Sequence, residues 1–168
     1  GRSSVFRIET QALPGTGKSN ISGTPGSGMK EDFETAYDFL KANMHELSPD
    51  ESLDDHNVNV QVLNPGNADE GEGTSVAFLV GIISGILDRP VRSGLVVLGE
   101  TSLMGELVKV NSLVDKLQLA SDAGAKQVLL PTENKDDLGK VPNELLDELE
   151  LLFYRDPINA ASKAMNIE

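Results

Sequence analysis

One serine and a set of lysines carry the chemistry that residue type and spacing make possible in this chain. Ser75 stands in "EGEGTSVAF", where a glycine-rich loop meets the most apolar stretch of the sequence. A serine at a helix N-terminus has backbone amides and the positive end of the helix dipole close by, and these are the parts of an oxyanion hole. The same position suits a plain helix cap from Thr74 or Ser75, and both readings stand. A serine nucleophile needs a base. The only histidines are His45 and His56, without partners at ligand spacing, and there is no cysteine. Lysine is the remaining base, and it serves only when desolvation keeps it neutral. Lys116 falls within the apolar stripe Leu113, Leu117 and Ala120, while Lys109 alternates outward between Val108 and Val110. Lys126 and Lys135 sit at loop or strand-start positions. Lys116 is therefore the preferred base; a lysine snorkelling at the edge of a core gives the same pattern.

A second stretch, "PGTGKS" at Pro14 to Ser19, has the tail of a phosphate-binding loop. The full pattern needs a glycine at position 12, which is Ala12, and a helix afterwards. The run "SNISG" reads as a strand, so a turn between strands fits better.

The elements that must position these residues follow from periodicity. "SSVFRIETQAL" and "GKSNISG" read as two strands joined by the Pro14–Gly17 turn. Met29 to Asn43 carries Phe33, Ala36, Tyr37 and Leu40 at helical spacing, continued by Met44. Leu47 to Asp55 is an acidic loop, "NVNVQVL" a half-buried strand, and "NPGNADEGEG" a loop. "TSVAFLVGIISGIL" is apolar all round and predicts a buried helix. "GLVVLG" predicts a buried strand and "ELVKV" an alternating one. Ser112 to Ala123 predicts a helix, with Ser112 and Asp115 in capping-box spacing and Gly124 past its end. "KQVLLP" is a strand, "TENKDDL" a short loop or turn, "LELLFY" a final strand, and "DPINAASKAMNI" a helix opened by its cap and a proline. The mixture predicts a single domain of α/β (α+β) class over residues 1–168.

Charge narrows the partners. Fourteen basic against 27 acidic residues leave a net charge of −13. That argues against contact with a nucleic-acid backbone, which needs a basic surface. No apolar run reaches membrane length, so a cytoplasmic protein without membrane contact is expected. No metal site or cofactor site is expected in this chain. It opens on "GRSSVFRIE", already strand-like, as an excised domain would.

The stretch "GETSLMGELVKVNSLVDKLQLASDAGAKQVLLPTENKDDL" resembles the proteolytic domain of Lon proteases. That family carries a G-E-x-T-L-x-G block, a helix with its catalytic lysine, then A-G-x-K-x-V and P-x-x-N. Its nucleophile lies in D-G-P-S-A, where this chain has "EGTSV". The opening "GTGKSNISGTPGSGMKEDFETAYDFLKAN" is similar to the family's strand, M-K-E-S and A-x-x-Y helix segment. The resemblance covers nearly the whole chain. It implies a compact Lon-protease-type domain with the ribosomal protein S5 domain 2-like fold, forming the C-terminal part of a longer chain. It also implies a hexameric ring driven by an ATPase module elsewhere, which would use ATP and magnesium. The implied reaction is hydrolysis of a polypeptide, with Ser75 attacking the carbonyl and Lys116 taking its proton. Glu72 matches the family's acid three residues before the serine, Thr74 precedes it, and Ser102 matches the threonine of the G-E-x-T block.

Departures cluster near these residues. Thr74 replaces a proline, Val76–Ala77 a small pair, and Asn111–Ser112 a double glycine. Asn59 and Gln61 stand where the family has histidines. The ending "LLFYRDPINAASKAMNIE" is similar to the Lon-like C-terminal domains of BREX-type phage-defence proteins. That resemblance implies the alternative of a non-catalytic oligomerisation domain on an ATPase.

Overall fold

In a computed structural model, residues 5–23, 26–63 and 73–167 are described. Strands β1 (Arg7–Pro14) and β2 (Ser19–Ser22) are followed by helix α1 (Ser27–Asn43) and strand β3 (His56–Leu63). The expected alternation holds on β3: Val58, Val60 and Val62 are buried, and Asn59 and Gln61 are exposed. The expected pairing does not. β1 and β2 are not neighbours, because β3 lies between them, antiparallel to β1 and parallel to β2. β3 buries one whole apolar face, whereas β1 and β2 alternate only between half-buried and exposed, as edge strands do.

The Pro14–Gly17 turn therefore wraps the start of β3 rather than closing a hairpin. Gly15 N–H donates to Asp55 O at 2.9 Å and Gly17 N–H to His56 O at 3.1 Å. Asn57 Oδ1 accepts from the amides of Thr16 (3.0 Å) and Lys18 (3.1 Å). The amides that a phosphate loop would offer are all taken inside the fold.

Helix α1 begins at Ser27, slightly before the expected Met29, and buries Met29, Phe33, Ala36, Tyr37 and Leu40. Helix α2 (Ser75–Leu87) is buried on most sides, as its composition requires. Phe33 of α1 meets Phe78 of α2 edge to face, with ring centroids 5.9 Å apart. α2 lies on the Ile8, Thr10 and Ala12 face of β1 through Gly81 and Gly85. A Cβ at Gly81 would come within 3.0 Å of Thr10 Oγ1. Each glycine costs helix stability of about 1 kcal/mol relative to alanine, and close approach of strand and helix is what it allows.

The second half begins with β4 (Leu95–Val97), then a short pair, β5 (Glu100–Thr101) and β6 (Leu107–Val108), and helix α3 (Leu113–Asp122). β7 (Gln127–Pro131) leads through a 3-10 segment, Thr132–Lys140, to α4 (Asn143–Glu148), β8 (Glu150–Tyr154) and α5 (Pro157–Ala164). β4, β7 and β8 form a parallel sheet with β7 central. Strand alternation divides its two faces. Leu95, Val97, Leu129 and Leu152 join the core of α1, α2 and α5. Val96, Val128, Leu130, Leu151 and Phe153 join the core of α3 and α4.

Several local expectations need correction. β4 is half-buried rather than buried, because it forms an edge. "ELVKV" pairs only at Leu107–Val108. "TENKDDL" is helical, and α4 was not anticipated, since six residues show little periodicity. Ser112 does not form a capping box: it adopts a left-handed conformation, φ 53°, and its side chain caps nothing. An N-cap needs extended backbone to aim its oxygen at the first-turn amides. By contrast, Asp156 caps α5 as expected, accepting from Asn159 N–H at 2.8 Å, with Pro157 at the first turn. Among the described residues no helix is long and apolar enough to cross a membrane.

Candidate functional site

Ser75 opens α2, with Thr74 at the N-cap position. It is 1% exposed. Its Oγ accepts a hydrogen bond from Thr101 N–H at 2.8 Å, across the start of β5. One residue on, Val76 N–H donates to Gly99 O at 3.3 Å. Gly99 holds φ 123°, and a Cβ there would collide with Tyr154 Oη. The Tyr154 hydroxyl in turn donates to Leu98 O at 2.6 Å, and burial pushes its phenol well above the usual range, so it remains a donor. A fixed stack of Tyr154, Gly99 and Thr101 thus sets where Ser75 lies.

The residues just before Ser75 are held by carboxylates. Asp32 Oδ2, on α1, accepts from Thr74 N–H at 3.1 Å and Thr74 Oγ1–H at 2.6 Å. Glu100 Oε1 accepts from Gly73 N–H at 2.9 Å. Burial raises the Asp32 carboxyl above its ordinary range; the two Thr74 hydrogen bonds oppose this, and the charges of Glu100 and Glu31 add to it. Both carboxylates lie where the α2 dipole favours negative charge. The amides of Gly73, Thr74 and Val76 therefore all have acceptors within the fold.

Among the described residues neither Lys116 nor Ser102 hydrogen-bonds to Ser75. Lys116 is half-buried on α3, one turn from the Ser112 carbonyl that accepts its backbone N–H at 3.1 Å. Among the described residues its amine has no hydrogen bond or ion pair, and none joins it to Ser75. α2 and α3 pack against opposite faces of the β4–β7–β8 sheet, so an approach between them must pass the sheet's edge or end. Ser102 serves the β5–β6 turn: its Oγ accepts from Glu106 N–H at 3.0 Å and its own N–H donates to Glu106 O at 2.8 Å. Glu72 lies outside the described residues. Lys109 is exposed and pairs with Asp137 Oδ2 at 3.3 Å. Two surface depressions, of about 380 and 450 Å³, are lined by Leu47, Leu87 and Arg89, and by Glu106, Glu133 and Arg155, with neither Ser75 nor Lys116 in them. Among the described residues no group of three or more His, Asp or Glu could hold a metal.

Sequence reasoning missed Asp32, Gly99 and Asn134. Asn134 is fully buried and binds both backbone groups of Val110, accepting from its N–H at 2.9 Å and donating to its C=O at 3.0 Å. It thereby fixes the approach to α3. The buried polar character of these residues is invisible in periodicity. Asp32, Gly99 and Asn134 all stand in the family-like blocks, but nothing in their spacing pointed to their partners.

Comparison with known proteins agrees with the architecture. The profile of the Lon protease (S16) C-terminal proteolytic domain matches residues 2–165. The chain is 36% identical over 168 residues to the Lon-like protease BrxL of Escherichia coli strain HS, covering 99% of this chain and 24% of that protein. It is 32% identical over 153 residues to Lon protease 1 of Thermus thermophilus, covering 90% and 19%. It is 30% identical over 149 residues to Lon protease of Escherichia coli K12, covering 88% and 19%. The chain thus spans about a quarter or less of the length of these relatives.

Proposed function

Since the chain belongs to the Lon protease C-terminal proteolytic-domain family, we propose that it acts as a non-catalytic Lon-type domain that holds subunits together on a longer, ATPase-bearing polypeptide. One observation carries this reading: Ser75 is buried with its hydroxyl oxygen held by a backbone amide. A nucleophile must reach a carbonyl carbon, and Ser75 is 1% exposed with its oxygen on the Thr101 amide. An oxyanion needs free donors at about 2.7–3.1 Å, and the amides of Gly73, Thr74 and Val76 donate elsewhere. The departure Thr74 falls at this same turn, and Asn111–Ser112 at the turn into α3. In this reading ATP and magnesium are used by the partner module, and the ring is a homo-oligomer of six in the cytoplasm.

A second reading rests on a different observation, the Thr101 N–H aimed at Ser75 Oγ, which would also stabilise an alkoxide. Here Ser75 is the nucleophile of a serine peptidase and Lys116 the base that later protonates the leaving amine. Glu72, Thr74 and Ser102 support them, and a polypeptide is the substrate. In this reading the turn before α2 opens to expose the buried Ser75 hydroxyl.

Ser75→Ala in the intact polypeptide separates the two. The proposal expects no Ser75-dependent cleavage of an unfolded protein substrate and an assembly of unchanged mass. Cleavage by the wild type that disappears in Ser75→Ala would overturn it.

A further inference from the structure

Thr74 is an unusual N-cap. Its backbone (φ −108°, ψ −5°) is not the extended form of a capping residue, and its hydroxyl accepts nothing from its own helix. Instead the hydroxyl and the amide both donate to one oxygen of Asp32, at 2.6 and 3.1 Å. Asp32 lies on another helix, 42 residues away, beside Phe33, whose ring packs on Phe78. The carboxylate of α1 therefore does for α2 what a local cap would do. It differs from a local cap in one respect: it couples the start of α2 to the position of α1.

The consequence reaches Ser75. Residues 73 and 74 are gripped on two sides, by Glu100 from β5 and by Asp32 from α1. Neither carboxylate touches Ser75 Oγ; they act on the backbone directly before it. The amide and hydroxyl of Thr74 converge on one carboxyl oxygen, so a single side chain satisfies both donors. Without the two carboxylates the Val76 contact to Gly99 and the Ser75 contact to Thr101 remain at the turn.

We propose that Asp32 is the positioning residue of the Ser75 turn: through Thr74 it holds the start of α2 closed, with Ser75 buried and its oxygen on the Thr101 amide. The proposal deepens the reading of a shut site and rests on it. It assigns the control of Ser75 exposure to a helix outside the catalytic motifs, so that any movement of α1 relative to α2 is transmitted to the serine.

Hydrogen exchange on the intact polypeptide, read by mass spectrometry on peptides spanning 73–79 and 99–103, tests it. Asp32→Ala should speed exchange in both peptides by about tenfold or more, the second because Ser75 Oγ leaves the Thr101 amide. Exchange in 127–131, the central strand, should not change. Asp32→Asn keeps the shape and an acceptor, and it should restore most of the protection. A variant that unfolds 127–131 as well is replaced in the comparison by Thr74→Val, which removes only the hydroxyl donor and should loosen the same two peptides to a lesser degree. Unchanged exchange at 73–79, or loosening there without loosening at 99–103, would overturn the positioning role. Labelling of Ser75 in the wild type by a fluorophosphonate would instead overturn the non-catalytic reading, and it leaves the exchange comparison to decide the role of Asp32.

Discussion

The backbone amide of Thr101 and the hydroxyl oxygen of Ser75 meet at 2.8 Å in a site that solvent barely reaches. This contact makes Ser75 a structural acceptor as well as a candidate nucleophile. Ser75→Ala leaves a buried amide without its acceptor, and such a loss costs about 1–3 kcal/mol. Chemical denaturation should show a lower midpoint with an unchanged slope. A variant as stable as the wild type would mean that the Thr101 amide finds water or another partner.

Gly99 admits no side chain. Its φ of 123° is a region that other residues rarely adopt, and a Cβ would strike the Tyr154 hydroxyl. Gly99→Ala should lose roughly 3 kcal/mol or more, from strain and overpacking together. The loss should be largest for the 73–79 segment, because the Gly99 carbonyl holds Val76. A melting temperature within a degree or so of the wild type would refute this account.

Ser112→Gly should do the opposite. Ser112 occupies the left-handed region at φ 53° without a side-chain contact to justify it. Relief of that strain, less the extra entropy of glycine in the unfolded chain, should stabilise by about 0.5–1 kcal/mol. The measurement is again a denaturation midpoint. No gain would place a compensating interaction at the Ser112 hydroxyl.

Asp32 predicts a pH dependence. Its carboxyl is raised above the ordinary 3.8, mainly by burial. The folded state then keeps the proton to higher pH than the unfolded chain. Its contribution is most favourable below the unfolded value and is lost as pH rises through the raised folded value. Glu100 and Glu31 face the same carboxyl and favour the protonated form. Asp32→Asn cannot ionise, so its melting temperature relative to the wild type should improve as pH rises from the ordinary carboxyl value through the raised folded one. A constant difference across that interval would show that the hydrogen bonds from Thr74 fully offset the burial.

What the sequence by itself determined is the local part of this protein. Apolar spacing marks α1, the alternation at Val58, Val60 and Val62 marks β3, and Asp156–Pro157 marks the start of α5. Each of these depends on residues a few positions apart, and the family blocks add the order of the elements. Tertiary structure decided the rest. β3 entered between β1 and β2 because it alone buries a whole face. Ser112 turned left-handed where spacing suggested a cap. Ser75 acquired its partner from 26 residues away and Thr74 its partner from 42 residues away. Periodicity states which side of an element leaves water but not what lies against it, so the contacts that decide whether Ser75 is a nucleophile or a buried acceptor are written only in the packing.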